Sequence, residues 1–528
     1  MILYIYDRKF LLRVLFVYIA LVLNVQLYAN QALDDTKQLT QILHKIYVAS
    51  GYDLSECPKI EISKSANLAA VYIPSKNIIQ LDQKLINLCK SFGKDANSAL
   101  AFILSHELSH AIFKDKSSGL VPTNFLNYGK NFKTKVKEEK IADIQGAFMA
   151  YLAGYQPDKV IPKLIENIYK AYQLHEANTD NYPSLAERKL TAQLVLSQIK
   201  DLVNVFEASN ITLAKAEYEL AALGYSYMLE YYRGPELFNN LGICYALKAM
   251  EYFNETTDHY AYPIEIDANT YLKKIQKSRG SLPLDQLMTR NNLLQKATQN
   301  IQEAIRLNPN KLSYKINYLC CLILLDNKSK CDEYIKTQNL EELLNTNFRS
   351  NNQSLKLTLG IFQAVNSKIS QNVYFDEIIM DAKSPYRAMA ITNKNVLNRI
   401  ETNTQYYNKC NYKFKPAKNT ISRNEINISK FKKISFSSLG ISLSYLSDKY
   451  IQTYIYANSD GDLLKVIQQN PSSVQLPIVS YPQICLTNPK IGLILFGGNK
   501  FVVPDNLNRI FMINSKGTVK KVLDFVYY

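Results

Sequence analysis

Long apolar segments are almost absent from this chain of 528 residues. Beyond the amino terminus, no stretch is long and apolar enough to span a bilayer, which excludes a protein with several membrane spans. The eight cysteines show none of the paired spacings of zinc fingers. Histidine is also scarce, with five residues in the whole chain, and two of them stand close together in one short motif.

The formal net charge of +16 does not mark a nucleic-acid-binding protein. The lysines are scattered along the chain, and Asn, Ile, Lys and Tyr are abundant throughout, which indicates a general bias in composition. We therefore expect no nucleic-acid partner. The positive charge still favours peripheral association with an anionic membrane surface or an acidic envelope polymer.

The amino terminus has the pattern of an export signal. Basic residues precede an apolar run over residues 15–29, which has about the length of a secretory h-region and is short for a membrane span. We expect residues 1–29 to be a signal peptide cleaved after Ala29, with Ala32 as the second choice. An uncleaved anchor is the alternative. No cysteine follows the apolar run, so a bacterial lipoprotein anchor is not expected.

The two neighbouring histidines belong to His106-Glu107-Leu108-Ser109-His110, which reads H-E-x-x-H. On a helix, His106 and His110 lie one turn apart on the same face and can take adjacent corners of a tetrahedral zinc site. Glu107 is then placed to take a proton from a zinc-bound water. Residues 97–113 lack Pro and Gly and are apolar on nearly all sides, which predicts a buried helix. Two core histidines satisfied by hydrogen bonds are the alternative.

A second predicted helix, residues 133–153, offers a further zinc ligand. Glu139 and Asp143 lie four positions apart on one face of an otherwise apolar stretch. Glu139 completes a His-His-Glu set for Zn²⁺ and leaves the fourth position open for water. Asp143 then orients one zinc histidine through its other ring nitrogen. A solvated charged face on a surface helix is the alternative.

Together, H-E-x-x-H and the E-x-x-A-D motif over residues 139–143 resemble the gluzincin metallopeptidases, which include the CAAX prenyl endopeptidases, the HtpX membrane proteases and the BepA-like periplasmic proteases. Residues 69–81 resemble the hairpin of that family, in which an edge strand lies beside the cleft. Residues 181–188 resemble its later H-P-x-x-x-x-R element, although Tyr182 stands where that family usually has histidine. The resemblance covers about residues 35–205.

The resemblance implies a zinc metalloendopeptidase that hydrolyses protein or peptide substrates. It places Arg188 near the active-site carboxylates, beside the catalytic Glu107 and the orienting Asp143. The strand near residues 78–81 would hold the substrate by strand addition. A periplasmic protein with a role in envelope-protein quality control is the implied setting. The implied zinc ligands are His106, His110 and Glu139.

Residues 210–345 show the periodicity of helices. Residues 237–249 resemble the first helix of a tetratricopeptide repeat, and residues 297–309 resemble the second helix and its ending, so this repeat would carry a long insertion. Residues 312–335 are candidates for the next helix pair. Stacked helix pairs form a groove for a protein partner. An irregular helical domain that braces the peptidase is the alternative.

From about residue 371 the pattern shifts to short strands separated by turn signals such as Asn458-Ser-Asp-Gly461. We therefore predict a multidomain chain. A mainly α metallopeptidase domain with a small β-hairpin or sheet is followed by an α-helical tetratricopeptide-like region and a β-rich carboxy-terminal domain of unknown role. After the signal peptide, the predicted domains cover residues 30–205, 206–345 and 371–528.

The cysteines of an exported chain can form disulfides. Cys57 with Cys89, and Cys410 with Cys485, are pairs that would each stay within one predicted domain, although sequence alone does not fix the connectivity. Buried free thiols are the alternative for three cysteines of the helical region: Cys244, Cys320 and Cys321.

Two other functions fit parts of this pattern. The first is a scaffold or chaperone-like protein that binds partners through the helical region and whose zinc site is structural or inactive. Tyr182 and the short connection between His110 and Glu139 favour it. The second is a secreted protease that acts on host proteins, for which export is the only support.

Overall fold

The structure is a computed structural model. It describes residues 33–63, 69–113, 123–124, 132–174, 184–214, 217–264, 282–345, 349–367, 371–384 and 386–399, together with seven strands beyond residue 431. The chain divides into two compact units, Met1–Ile199 and Lys200–Tyr528. None of the helices in the described residues is long and apolar enough to cross a membrane. The predicted signal peptide lies outside the described residues.

The amino-terminal unit is mainly helical. Its helices are α1 (33–49), α2 (Gln83–Lys90), α3 (Ala96–Phe113), α4 (Phe132–Leu152) and α5 (Ile161–Ala171). A sixth helix, α6 (Leu185–Ala214), begins in this unit and contains the boundary to the next. The structure therefore confirms the two helices predicted over residues 97–113 and 133–153.

Four short strands form one sheet in this unit. They are β1 (Lys59–Ser63), β2 (Ala70–Ile73), β3 (Ile78–Asp82) and β4 (Thr123–Asn124), in the order β1-β3-β2-β4. Strands β2 and β3 form the predicted antiparallel hairpin, whereas β1 runs parallel to β3.

The sheet order corrects one expectation about substrate binding. Strand β3 contains residues 78–81, which we expected at an edge beside the cleft, but it is paired with β1 on one side and β2 on the other. Its backbone groups are therefore used within the sheet, and an incoming chain cannot add to it. The strand next to α3 is β2, whose second side pairs with β4 at Val71 and Tyr72.

Helices α3 and α4 pack closely together at the centre of this unit. Every residue of α3 from Ala99 to Ser109 is buried, as expected for a helix that is apolar on nearly all sides. Helix α4 presents small buried side chains, Ala142 and Ala147, and a glycine, Gly146, toward the interior. Small residues let two helix backbones approach each other, so polar groups from both helices can meet in the core.

Beyond α6, the second unit continues with helices. They are α7 (Tyr218–Leu229), α8 (Pro235–Ala249), α9 (Leu284–Leu307), α10 (Leu312–Leu324), α11 (Lys328–Thr337), α12 (Arg349–Asn366), α13 (Val373–Met380) and α14 (Arg387–Leu397). Helices α8 and α9 pack against each other, although residues 250–283 separate them in sequence. This is the helix pair that the tetratricopeptide-like pattern predicted.

Two helix pairs of this unit, α8 with α9 and α12 with α13, have a glycine at a close contact. A Cβ atom on Gly242 of α8 would lie 2.5 Å from Cγ1 of Ile301 in α9, and one on Gly360 of α12 would lie 2.6 Å from Cε1 of Phe375 in α13. Helices α10 and α11 also pack together, and α10 contacts both α8 and α12. The described residues thus contain three helix pairs in succession, one more than we predicted.

The start of the strand pattern was predicted wrongly. We expected strands from about residue 371, yet Val373–Met380 and Arg387–Leu397 are helices. The side chain of Asn372 accepts a hydrogen bond from the backbone N–H of Phe375 and so caps α13. This cap and the packing of Phe375 against Gly360 favour a helix here, in spite of the β-forming residues Val373, Tyr374 and Phe375.

Among the described residues of the second unit, the first strand begins at Lys432. The strands are β5 (Lys432–Phe436), β6 (Ile441–Ser447), β7 (Ile451–Ala457), β8 (Leu463–Gln469), β9 (Lys500–Val502), β10 (Arg509–Ile513) and β11 (Val519–Tyr527). Their order is β5-β6-β7-β8-β11-β10-β9, with antiparallel neighbours throughout. A separate β-rich domain, and the division of the chain into the predicted domains, stay predictions.

A buried ion pair ties the helical region together. The guanidinium of Arg290 in α9 donates to both carboxylate oxygens of Asp258, at 2.7 and 2.9 Å, and both side chains are fully buried. Arg290 also donates to the carbonyl oxygens of Ala249, Tyr252 and Leu324. Ala249 is the last residue of α8 and Leu324 the last of α10, so one cation satisfies carbonyl groups at two helix ends.

The described cysteines are all free thiols: Cys57, Cys89, Cys244, Cys320, Cys321 and Cys331. The possible pair Cys57 and Cys89 is therefore not formed, and the alternative of buried free thiols holds for Cys244, Cys320 and Cys321. Burial raises the pKa of Cys321 to about 12, so this thiol is held in its protonated form. Cys410 and Cys485 lie outside the described residues.

Candidate metal centre

Three side chains from α3 and α4 converge on one point in the amino-terminal unit. Nε2 of His106 lies 3.0 Å from Oε2 of Glu139 and 3.3 Å from Nε2 of His110. Nε2 of His110 lies 3.6 Å from Oε1 of Glu139. The structure therefore brings together the three residues that the sequence indicated as zinc ligands. The two histidines meet because they are one helical turn apart, and Glu139 reaches them because α4 packs on α3.

These separations fit a tetrahedral zinc site. Zinc binds histidine nitrogen and carboxylate oxygen at about 2.0–2.2 Å, so two ligand atoms at neighbouring corners lie roughly 3.3–3.5 Å apart. The histidine nitrogens lie 3.3 Å apart, and they lie 3.0 Å from Oε2 and 3.6 Å from Oε1 of Glu139, so each of these distances is near that value. One ligand atom from each of the three residues lies within 4.8 Å of the others. The chemistry of the set also fits, because two imidazoles and one carboxylate are ligands that zinc accepts.

Asp143 orients the first histidine from the opposite side of its ring. Its Oδ1 lies 2.8 Å from Nδ1 of His106, so this ring nitrogen donates to the carboxylate. With Nδ1 held in this way, a neutral ring has its lone pair on Nε2, the atom that faces Glu139 and His110 and would bind a metal. Asp143 is almost fully buried. We predicted that Asp143 contacts one of the two histidines through its other ring nitrogen, and it does so at His106.

Arg188 lies behind Asp143. Its Nη1 atom is 2.9 Å from Oδ2 of Asp143 and its Nη2 atom donates to Oδ1 at 3.3 Å. The side chain is 5% exposed, so this cation is held in the protein interior rather than in solvent. The result is a chain of contacts in which Arg188 holds Asp143 and Asp143 holds His106. The resemblance placed Arg188 near the carboxylates, and the structure places it there.

Glu107 is the unusual member of the cluster. Its side chain is completely buried, and neither carboxylate oxygen is hydrogen-bonded to a side chain among the residues that the structure describes. The backbone N–H of Tyr72 is near enough to lower its pKa. Burial raises the pKa of Glu107 to about 7, although the neighbouring His106 and His110 act in the opposite direction. A buried carboxyl without a side-chain partner costs free energy and calls for an explanation beyond packing.

The remaining ionisable groups influence one another strongly. Burial alone lowers the pKa of His106, but hydrogen bonds to Asp143 and Glu139 raise it overall to about 10. Burial alone raises the pKa of Glu139, but hydrogen bonds to His106 and His110 hold it well below its usual range. The carboxylates of Asp143 and Glu139 therefore make the space around His106 favourable for positive charge.

Two contacts between α3 and α4 were not anticipated from the sequence. The hydroxyl of Ser109 donates to Oε1 of Gln145 at 2.6 Å, and both side chains are buried. Gly146 lies against the backbone of His106. A glycine inside a helix was the available signal, because it costs about 1 kcal/mol relative to alanine and is seldom there without a packing reason. Tyr182 lies outside the described residues.

Comparison with protein-family models, with curated proteins and with solved structures finds no match to this chain. The gluzincin and tetratricopeptide resemblances therefore rest on the motifs alone. The site itself rests on the packing of α3 against α4, and it groups His106, His110 and Glu139 as a set that can hold a metal ion.

Proposed function

We propose that this protein is a zinc-dependent endopeptidase that hydrolyses peptide bonds of protein substrates. The observation that carries the proposal is the combination of a buried His-His-Glu set with Glu107, a buried carboxyl that is hydrogen-bonded to no side chain in the described residues. A purely structural metal site has no use for a carboxyl in this state. A hydrolytic site needs one to move a proton.

Each polar residue of the site has a role in this proposal. His106, His110 and Glu139 hold Zn²⁺, and Asp143 with Arg188 fixes the ring of His106. Zinc, when bound, supplies Lewis acidity, which polarises a carbonyl and makes water easier to deprotonate. Glu107 takes a proton from the attacking water and passes it to the leaving amine. Burial raises the pKa of Glu107 in the metal-free site, and a bound Zn²⁺ would act in the opposite direction and favour the carboxylate that accepts the proton.

A substrate that binds in extended form would add to an edge strand of the four-stranded sheet. Its edges are β1 and β4, because β3 and β2 each have a partner strand on both sides. Strand addition uses main-chain hydrogen bonds, so it tolerates many side chains and suits a protease that accepts varied protein chains.

The other parts of the chain bear on where the enzyme acts and what it meets. The three helix pairs in Pro235–Met380 form a tetratricopeptide-like region that we propose as the binding surface for a protein partner. The strands beyond residue 431 are proposed as a β-rich domain. The basic and apolar amino-terminal segment supports export, with the periplasm as the proposed location and envelope-protein quality control as the proposed role.

The decisive experiment compares the wild type with Glu107→Gln in zinc content and in cleavage of casein. We expect one zinc per chain in both proteins and a loss of cleavage between about a hundredfold and ten-thousandfold in the variant. Glu166→Gln is the matched control, because Glu166 is exposed on α5 of the same unit. It should cleave like the wild type.

The other outcomes are equally informative. Bound zinc without cleavage by the wild type would favour the scaffold hypothesis, in which the helical region binds partners. Cleavage retained by Glu107→Gln would remove the proposed role of Glu107. A wild-type protein that binds no zinc would overturn the proposal as a whole.

A further inference from the structure

Gly146 lies where the backbones of the two ligand-bearing helices come closest. A Cβ atom at this position would stand 2.7 Å from N of His106, 2.8 Å from its Cα and 2.9 Å from the carbonyl carbon of Ser105. All three are backbone atoms of α3. A flexible side chain could turn away from such a contact, but the backbone of a buried helix cannot.

The position of Gly146 within α4 connects this contact to the metal ligands. Gly146 follows Glu139 by seven residues and Asp143 by three, so all three lie on the same face of the helix. That face meets α3 at His106, which contacts Glu139 at 3.0 Å and Asp143 at 2.8 Å. The backbone distance at Gly146 therefore limits how far the carboxylates can reach.

We propose that Gly146 is a positioning residue for the zinc site, because its missing side chain sets the spacing of α3 and α4 at the distance that the ligand set needs. This inference rests on the proposed function. Any larger residue must widen the helix contact by roughly half an ångström or more, since packed interiors have no slack to absorb it. A metal site tolerates only about 0.2 Å of error in its ligand distances.

The test is the zinc affinity of Gly146→Ala, measured by competition with a chromophoric chelator on the full chain. We expect an affinity about ten- to a hundredfold below that of the wild type, the range found when groups that support metal ligands are altered. We also expect a changed visible spectrum of the Co²⁺-substituted protein. The preference between ions should shift toward Cd²⁺, since a larger ion forms longer bonds and suits a wider site.

Two control variants separate spacing from stability. Gly242→Ala places a methyl group in the close contact between α8 and α9, 2.5 Å from Cγ1 of Ile301. It should destabilise the helical region without changing zinc affinity. Ala147→Gly weakens α4 by about 1 kcal/mol in helix propensity but adds no atom to the contact. Ala147 is fully buried beside Gly146, so it is a control within the same helix.

The outcomes distinguish this inference from the proposed function. If the wild type binds no zinc, the proposed function fails. If the wild type and Gly146→Ala bind zinc equally well, with the same Co²⁺ spectrum and Cd²⁺ preference, only the role of Gly146 fails. If metal-free Gly146→Ala is unfolded, zinc-induced refolding followed by circular dichroism gives the affinity instead. A chain that stays unfolded at saturating zinc would show that Gly146 serves folding alone, which also overturns the inference.

Discussion

The described residues contain two buried arginine–carboxylate pairs, one in each unit, and the pairs differ in what surrounds them. Arg290 and Asp258 form a closed group. Asp258 accepts from Arg290, from the hydroxyl of Thr257 and from the backbone N–H of Asn254, and Arg290 donates to three carbonyl oxygens. Within the described residues, Nε of Arg290 is the one guanidinium nitrogen without a partner. Almost all the hydrogen-bonding capacity is used inside the group.

Arg188 and Asp143 form an open group. Asp143 accepts a hydrogen bond from one ring nitrogen of His106, and the other ring nitrogen faces Glu139 and His110. The group also contains Glu107, whose carboxylate is hydrogen-bonded to no side chain in the described residues. The side chain of His110 is 10% exposed, so the cluster reaches toward solvent. A buried charge pair that is closed on itself stabilises a fold, whereas one that ends in unused ligand atoms indicates a site. Each pair can be tested by removing its carboxylate.

The largest effect is expected at the closed group. Asp258→Ala leaves the guanidinium of Arg290 buried without a counter-charge, which should lower the free energy of unfolding by about 3–5 kcal/mol. Urea denaturation followed by circular dichroism measures this loss. Glu303→Ala is the control, because Glu303 pairs with Arg306 at the surface and should contribute less than about 1 kcal/mol.

The zinc affinity of Asp258→Ala tests whether the closed group is independent of the candidate metal centre. Asp258 belongs to the unit Lys200–Tyr528, and every residue of the metal centre belongs to Met1–Ile199. Zinc affinity of the folded Asp258→Ala protein should therefore equal that of the wild type. A loss of affinity would show that the closed group also supports the metal centre, and the distinction between the two clusters would be lost.

The next effect is expected at the open group. Asp143→Asn keeps an oxygen that can accept from His106 but removes the negative charge that supports the histidine and balances Arg188. Zinc affinity should fall about ten- to a hundredfold, which corresponds to about 1.4–2.8 kcal/mol. Competition with a chelator measures the change. Asp158→Asn, an exposed aspartate in the same unit, is the control and should bind zinc like the wild type.

The candidate metal ligands could be predicted from the sequence because their spacing follows from helix geometry alone. His106 with His110, and Glu139 with Asp143, are each four residues apart, so each pair occupies one helical face. Helix geometry does not show that the two faces meet, because this depends on how the helices pack. We inferred the meeting from chemistry, since two histidines on a buried helix need a third ligand to hold zinc. Arg188 was found by resemblance, since no spacing rule connects it to Asp143.

Other features depend on contacts between elements that are distant in sequence. The central position of β3 results from its parallel pairing with β1, which no local pattern encodes. The helix Val373–Met380 falls where we expected the strand pattern to begin, and it depends on the cap at Asn372 and on the packing of Phe375 against Gly360. Gly146 was overlooked because a glycine in a helix gains meaning only when its neighbour across the contact is known.

The smallest effect is expected at the hydrogen bond between Ser109 and Gln145, which joins the same two helices but involves none of the candidate ligand side chains. Ser109→Ala removes a 2.6 Å hydrogen bond between buried side chains and should cost about 1 kcal/mol in the stability of the metal-free protein. Ser91→Ala is the control, because the Ser91 hydroxyl is exposed and bonds within its own chain segment, to the carbonyl oxygen of Leu88.

Zinc affinity should change by less than about threefold in Ser109→Ala, since removing a hydrogen bond lets the helices stay in contact and introduces no atom that separates them. A loss as large as that of Asp143→Asn would place Ser109 and Gln145 within the supporting structure of the metal centre. The open group would then extend along the whole contact between α3 and α4. It would differ from the closed group at Arg290 in size as well as in having side-chain atoms that are free to bind a metal.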